Sequence, residues 1–383
     1  MKLADRPDVL IFVEDPGAAN FVTDLPRELC ERGYTVHLAS YGKATSHLTQ
    51  RGIASNPLPV GVDVEAFAKQ FAPRLLAVGT AENPDSIGLR LIAIARSLGI
   101  RSVAMVDAST NLDFRFRGRS ANALAFCPDI VMVPDNIGRD HLVRIGLDQG
   151  RVVVTGHPHW DHVRSAYRYL RQQGRDDWRR RLFGVSVPER IVVLFAAETS
   201  SGLNCRQFQR ADDYSLAGDR DSLGRTEIVI EELLIAAAPW RREIHLILRL
   251  HPSQAQHDLS AYYRDFDGVS RSGTSLEAVY ASDVVVGMTS MLMVEAALMD
   301  RPTLAILPRA SEAAWLPTIA AGVTPYATSR LEVAQQLEHL LKCRSRPNPS
   351  SLDQLCPRGA LKCAAAIFER LLREGRSIRP ARR

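Results

Sequence analysis

Val9-Leu10-Ile11-Phe12-Val13 runs directly into Glu14-Asp15-Pro16-Gly17-Ala18-Ala19-Asn20. Five apolar residues in a row, closed by a Pro-Gly turn, describe a strand covered on both faces rather than one with a wet side. The same unit recurs outward from it. Strand patterns at 34–40, 75–80, 102–107, 129–134 and 151–156 alternate with helical patterns at 25–30, 43–51 and 86–98. Such alternation predicts a parallel sheet with helices on both faces, a doubly wound α/β domain.

Residues 160–187 interrupt the pattern with a polar, Arg-rich, helical stretch. The alternation then resumes, with strand patterns at 190–197, 243–252, 267–273, 283–288 and 303–308 and helices at 226–238, 275–281 and 290–299. The expected organisation is an acceptor domain over 1–165, a linker over 166–187 and a second α/β domain over 188–345. A terminal helix and basic tail fill 346–383. The polar segment 199–225 fits either an ordered lid or a disordered insertion. Two doubly wound domains imply a central cleft, with ligands outside the carboxyl ends of the strands.

Length and composition agree. The chain has 383 residues, 46% hydrophobic and 24% charged, enough for two cores. The net charge of +5 is carried almost wholly by arginine, since lysine occurs only at Lys2, Lys43, Lys69, Lys342 and Lys362. A basic balance suits phosphates, nucleic acid or a membrane surface. Acidic residues interleave with the arginines, and no aromatic stacking platform accompanies them, so nucleic acid is not expected as a partner. Six cysteines without a CxxC spacing predict reduced, mostly buried thiols and a reducing compartment. The N-terminal apolar run is too short for a signal peptide, and 283–299 is too polar to span a bilayer. A soluble cytoplasmic protein is expected, with peripheral membrane contact left open.

The residues that follow the strands carry the candidate chemistry. Glu14 and Asp15 stand after the first strand, where a carboxylate can accept a proton from an acceptor hydroxyl. Gly17 and Asn20 lie in the same turn, where small residues let backbone approach a ligand. Asp15 followed by Pro16 equally suits a helix N-cap with proline in the first turn. Asp107, at a neighbouring strand end, competes for the role of base. In the second half Glu198 ends one strand, and Arg249 and His251 end another, offering a donor fork and a proton donor. Asp283–Pro302 is the strongest segment. A strand closes at Gly287, Thr289 and Ser290 open a helix whose free N–H groups suit an anion, and Glu295 lies inside that helix.

This last segment resembles the nucleotide-binding signature of GT-B-type glycosyltransferases and their relatives. It is similar to the "SGG…EEA…GxP" stretch of non-hydrolysing UDP-N-acetylglucosamine 2-epimerases and to the "SSxxF(D/E)…xKP" stretch of CDP-glycerol glycerophosphotransferases. Arg249-Leu250-His251-Pro252 resembles their "LHP" element, and Thr155-Gly156-His157-Pro158 their "TGNP" element with His157 in place of Asn. Phe195-Ala196-Ala197-Glu198 looks like the "FVSEP" strand end of surface-polysaccharide proteins. The resemblance implies two Rossmann-like domains and a UDP- or CDP-linked donor on the second. Thr289 and Ser290 would then serve the phosphates, Glu295 the ribose, and Glu198, Arg249 and His251 the donor. The expected reaction is metal-independent transfer of a sugar or polyol group to an acceptor. The epimerase glycines are replaced by Thr-Ser-Met, and the paired carboxylates before the alanine are reduced to Glu295. Epimerisation or hydrolysis of a nucleotide sugar, and binding of one without turnover, remain as alternatives.

A different chemistry is written in His157-Pro158-His159-Trp160-Asp161-His162, which spells HxHxDH, the two-metal signature of metallo-β-lactamase-type hydrolases. His245, His251 and His257 lie downstream as further ligand candidates. That fold is largely antiparallel, against the parallel pattern of residues 1–150. Asp219-Arg220-Asp221 and Asp265-Phe266-Asp267 match the short DxD of metal-dependent glycosyltransferases without following a strand.

Overall fold

The computed structural model describes residues 6–184, 190–199, 208–251, 254 and 259–374. Contacts divide the chain into two compact units: the described part of Met1–His162 with that of Cys356–Arg383, and Val163–Leu355. Both are parallel α/β sheets, as the two-domain pattern predicts.

The first unit is built on β1 (Val9–Val13), β2 (Val36–Ser40), β3 (Asn56–Pro57), β4 (Leu75–Gly79), β5 (Arg101–Met105), β6 (Ile130–Val133) and β7 (Val152–Val154), in the order β3-β2-β1-β4-β5-β6-β7. All five residues of β1 are buried, because its alternate side chains enter two cores. Val9, Ile11 and Val13 pack with Phe21, Leu25 and Leu29 on one face. Leu10 and Phe12 pack with Val64, Phe67, Leu91 and Ile92 on the other. Each such side chain contributes about 1.5–3 kcal/mol, which is why the run admits no polar residue.

The C-terminal helix Ala360–Glu374 closes the first of these faces. Its Ala364, Ala365, Phe368, Leu371 and Leu372 belong to the core of Ile11, and Arg32 holds Glu369 at 3.2 Å. The helix expected over 350–375 is therefore two, Pro349–Leu355 and Ala360–Glu374. Pro357, with no N–H to donate, sits at the break.

The second unit contains β8 (Ile191–Ala196), β9 (Ile244–Arg249), β10 (Gly268–Ser270), β11 (Val284–Gly287), β12 (Thr303–Ile306) and β13 (Tyr326–Ala327), ordered β10-β9-β8-β11-β12-β13. Helices Arg225–Ala237 and Arg330–Cys343 cover one face. Ile228, Val229, Leu233, Val333 and Leu337 meet Val193, Phe195, Leu246 and Val286 there.

The stretch 166–187, read as a linker, is helical through His159–Gln173 and Arg175–Phe183. Its arginines fasten it to the end of the helix Ser275–Ala281 and to the residues that lead into β11. Arg175 donates to the carbonyls of Tyr280 and Ser282 and Arg179 to that of Ala281, and both ion-pair with Asp283. In the segment 199–225, residues 200–207 lie outside the described residues. The part from 208 onward is ordered, because two buried carboxylates grip its backbone. Glu231 accepts from Asp219 N and Glu232 from Gly218 N, at 2.8 and 2.9 Å. Among the described residues no helix is long and apolar enough to cross a membrane. Cys127 and Cys356 are buried, but Cys30, Cys343 and Cys363 are exposed, so mostly buried thiols are not observed; none of these five forms a disulfide.

Candidate functional site

In each sheet the strand order reverses at one point, between β1 and β4 in the first unit and between β8 and β11 in the second. Loops at the carboxyl ends diverge there and leave room for a ligand. Asp15 follows β1 at the first of these points, and Glu198 and Thr289 follow β8 and β11 at the second.

In the first unit Asp15, Asp107 and Glu82 surround the buried guanidinium of Arg115. Arg115 Nη1 donates to Asp107 Oδ1 at 2.7 Å and to Thr80 Oγ1 at 3.2 Å, and its Nη2 lies 3.6 Å from Glu82 Oε1. Asp15 caps the helix Pro16–Phe21, accepting from Gly17 N at 2.8 Å, with Pro16 in its first turn. Burial and the nearby Asp107 push its carboxyl up to about 6, against the pull of the Gly17 N–H and Arg115. Gly17 is small because Asp107 needs the space: a Cβ there would lie 1.9 Å from Asp107 Oδ2.

Glu14 and Asn20 point to other duties. Glu14 accepts from the Ser86 hydroxyl and from Ile87 N, so it holds the start of the helix Ile87–Ser97. Burial raises its pKa even so. Asn20 Oδ1 is 2.7 Å from His47 Nε2. The cluster thus keeps Asp15, Gly17 and Asp107 from the sequence-based set and adds Glu82 and Arg115. Glu82 follows β4 and was open to the strand-end rule. Arg115 lies in a stretch without periodicity, and nothing local marks it.

In the second unit Glu198 and Thr289 flank the reversal between β8 and β11. Thr289 N donates to Glu198 Oε1 at 2.5 Å and Thr289 Oγ1 to Oε2 at 3.0 Å. The amide expected to meet a phosphate is therefore engaged by the protein's own carboxylate. Behind it lies Arg225, 1% exposed, which donates to Glu198 at 2.8 Å, to Thr289 Oγ1 at 3.2 Å and to the fully buried Glu312 at 2.8 Å. Burial works against the Arg225 charge, but Glu198 and Glu312 outweigh it and hold its pKa above the usual value. Arg309 continues the network to Glu312 and Asp213, and both guanidiniums lie 5.6 Å from the Trp315 ring centroid. Arg225, Glu312, Arg309 and Trp315 were not in the sequence-based set; Arg225, which ties them to Glu198 and Thr289, is remote from all of these partners in the chain.

The remaining candidates divide by environment. Arg249 donates to Ser270 Oγ and to the carbonyls of Ser272 and Gly273, each at 2.9 Å. Its fork thus holds a loop, and burial lowers its pKa. His251 N donates to Gln254 Oε1, and Gln254 Nε2 donates in turn to the Glu198 carbonyl. Ser290 Oγ accepts from Leu292 N at 3.2 Å and opens the helix Leu292–Leu298. Glu295 is 4% exposed, so it does not sit on a solvated helix face.

The HxHxDH residues each serve the first unit's packing. His157 is buried against Phe21 and Trp160, and burial with the neighbouring His159 lowers its pKa well below normal. Asp161 accepts from Gly359 N and Leu361 N, both at 3.0 Å, at the start of the C-terminal helix. His162 Nδ1 is 2.9 Å from Asp24 Oδ2. Among the described residues no group of three or more His, Cys, Asp or Glu is placed to hold a metal ion, which removes the support for the two-metal hydrolase alternative. His257 lies outside the described residues. Of the DxD candidates, Asp265 pairs with Arg220 at 2.9 Å and Asp267 accepts from Leu246 N, both local anchors.

No protein-family model matches this chain, and no curated protein matches it in sequence. Solved structures do match its fold. The UDP-GlcNAc 2-epimerase from Methanocaldococcus jannaschii superposes with a TM-score of 0.67 at 12% identity, covering 94% of this chain and 99% of that one. The UDP-GlcNAc 2-epimerase from Neisseria meningitidis bound to UDP-GlcNAc gives 0.64 at 13%, covering 95% and 99%. The wall teichoic acid polymerase TagF gives 0.56 at 14%, covering 97% and 90%. The fold is GT-B-type.

Proposed function

We propose that this protein is a nucleotide-sugar enzyme that transfers a sugar or polyol group to an acceptor, with Asp15 as the proton acceptor. The observation that carries the proposal is Asp15 itself, at the β1/β4 reversal with its carboxyl pushed up to about 6. A base of that strength is ionised at neutral pH yet basic enough to take a hydroxyl proton as it is lost. Asp107, held by Arg115, keeps that proton affinity high, and Glu82 adds to the same field.

The donor is assigned to the second unit, at the β8/β11 reversal. Fold similarity to a protein solved with UDP-GlcNAc bound supports a nucleotide sugar as donor. In the transfer, the acceptor oxygen forms a bond to the donor's reacting carbon or phosphorus. The bond to the nucleotide phosphate breaks, the leaving phosphate keeps the electron pair, and the proton goes to Asp15. Thr289, Ser290 and Glu295 are assigned to the nucleotide, and Arg225 supplies the nearest fixed positive charge. Because Glu198 already holds Thr289 N–H, donor binding is expected to shift Glu198 towards Arg225. No metal is assigned a role.

The Asp15–Asp107 pair also suits removal and return of a proton at one carbon, so epimerisation of a nucleotide sugar is the second reading. One experiment separates the two. Purified protein is incubated with UDP- and CDP-linked sugars and polyols, with and without an acceptor mixture, and products are followed by chromatography and proton NMR. Nucleotide release that requires the acceptor supports transfer, whereas an epimer formed without acceptor supports epimerisation. Absence of both binding and turnover with every donor overturns the proposal.

A further inference from the structure

We infer that the second unit carries a separate binding site for a small phosphorylated metabolite, at the opposite edge of its sheet from the candidate donor residues. A cavity of about 260 Å³ opens between the segments that lead into β11 and β12. Its floor is aromatic: Tyr167 and Tyr280 meet edge to face with centroids 6.1 Å apart. Four arginines line it, Arg171, Arg175, Arg301 and Arg346, against one carboxylate, Asp300.

The charges do not balance. Arg175 is occupied by Asp283 and the carbonyls of Tyr280 and Ser282. Asp300 accepts from the Tyr167 hydroxyl at 3.1 Å. Arg171, Arg301 and Arg346 take part in no ion pair among the described residues. Three guanidiniums against the single charge of Asp300 leave the cavity with excess positive charge, and a bound polyanion offsets it. The planar fork of arginine fits phosphate oxygens two at a time, which selects phosphate over a simple halide.

The cavity is organised rather than incidental. Arg171 lies 5.7 Å from the Tyr167 ring centroid, and Arg301 lies 6.0 and 5.8 Å from those of Tyr167 and Tyr280. These contacts hold two of the guanidiniums in place. Asp300 keeps a left-handed backbone, φ 57°, at the end of the helix Leu292–Leu298, where glycine is the usual choice. The aspartate retained there is the one that fixes Tyr167. Burial and Asp300 push the Tyr167 phenol up to about 12, so it stays a hydrogen-bond donor.

Size and position define the ligand class. The space equals that of roughly nine water molecules, more than one phosphate fills and close to a phosphorylated monosaccharide. The cavity is lined by Tyr280 ahead of β11 and by Asp300 and Arg301 ahead of β12, whereas Thr289 follows the far end of β11. Four strand residues separate the two edges by about 13 Å, so one small ligand does not reach both.

The test is calorimetric titration of the full chain with ribose 5-phosphate and with inorganic phosphate at low salt, with and without saturating UDP. The expected result is one saturable site for ribose 5-phosphate, unchanged by UDP and weakened by added salt. In the Arg171→Gln/Arg346→Gln double variant affinity should fall at least tenfold with the melting temperature unchanged, since both side chains are exposed. Arg301→Gln should give a similar loss and guards against an effect of the double variant on folding. Absence of saturable binding, equal affinity in the variants, or displacement by UDP overturns the inference. Saturable inorganic phosphate with no gain from the sugar overturns the metabolite class.

Discussion

Replacing Asp15 by Asn tests whether the candidate base is held at a cost to the fold. In the folded chain this carboxyl titrates at about 6, against an ordinary 3.8. A raised acid binds its proton more tightly when folded. Its contribution to stability is therefore complete below about pH 4 and is lost as pH rises through about 6. At 1.36 kcal/mol per tenfold, the gap corresponds to on the order of 3 kcal/mol of destabilisation at pH 8. Asn is as good an N-cap as Asp, so the bond from Gly17 N survives the change. Asp15→Asn should thus match the parent at pH 4 and exceed it at pH 8. For a unit of this size the gain amounts to about 6–12 °C in melting temperature.

The assay is a pair of thermal melts, each variant against parent at the same pH, so that every other titrating group cancels. Activity should move the opposite way, since Asn cannot take the acceptor proton, and parental turnover should rise with pH through about 6. A stability gap equal at both pH values, or a loss at pH 8, would falsify the account of Asp15 as a desolvated acid facing Asp107. Stabilisation without loss of turnover would retain the electrostatics and remove the catalytic role.

Four further outcomes follow from the same geometry. Arg225→Met takes one of two cations from Glu312, 0% exposed, leaving only Arg309, and should cost about 3–5 kcal/mol in urea unfolding; a loss under 1 kcal/mol would mean that Glu312 is satisfied by Arg309 alone. Gly17→Ala drives a Cβ into Asp107 and should destabilise by about 1–3 kcal/mol, with turnover falling as Asp107 leaves Arg115. Glu295→Ala should weaken nucleotide affinity by about 1–3 kcal/mol, read by titration with UDP and CDP; unchanged affinity in a folded variant removes its ribose role. Asp161→Ala removes the carboxylate at the start of Ala360–Glu374 and should cost about 1 kcal/mol while leaving turnover intact; abolished turnover would revive the HxHxDH motif.

Legibility followed locality. The run Val9–Val13 announces a doubly covered strand because both faces bury side chains, and the same holds for Val192–Ala196 and Val284–Val286. The two edge strands, Asn56–Pro57 and Tyr326–Ala327, are two residues long, and no periodicity can mark them. The helix Arg330–Cys343 was missed although Ser329 and Glu332 form a reciprocal cap three residues apart, a signal readable in sequence. Helix Val64–Phe71 likewise has Asp63 as its cap.

For the site, position was legible and employment was not. Every carboxylate named after a strand does stand at a strand end, yet Asp15 and Glu14, adjacent in sequence, have different partners. Glu14 meets the hydroxyl of Ser86 and the amide of Ile87, groups that belong to the start of a helix. Asp15 faces a second carboxylate across the gap left by Gly17. Likewise Arg249 has the residue type and position of a phosphate ligand, but the carbonyls of Ser272 and Gly273 claim its fork. A buried polar atom must be matched, and the nearest unmatched partner wins it whatever its residue type suggests. The functional candidates are therefore the strand-end groups with a charged partner close by: Asp15 against Asp107, and Glu198 against Arg225. The crowded Asp15–Asp107 pair costs stability whether or not a reaction makes use of it, and the Asp15→Asn comparison measures that cost directly.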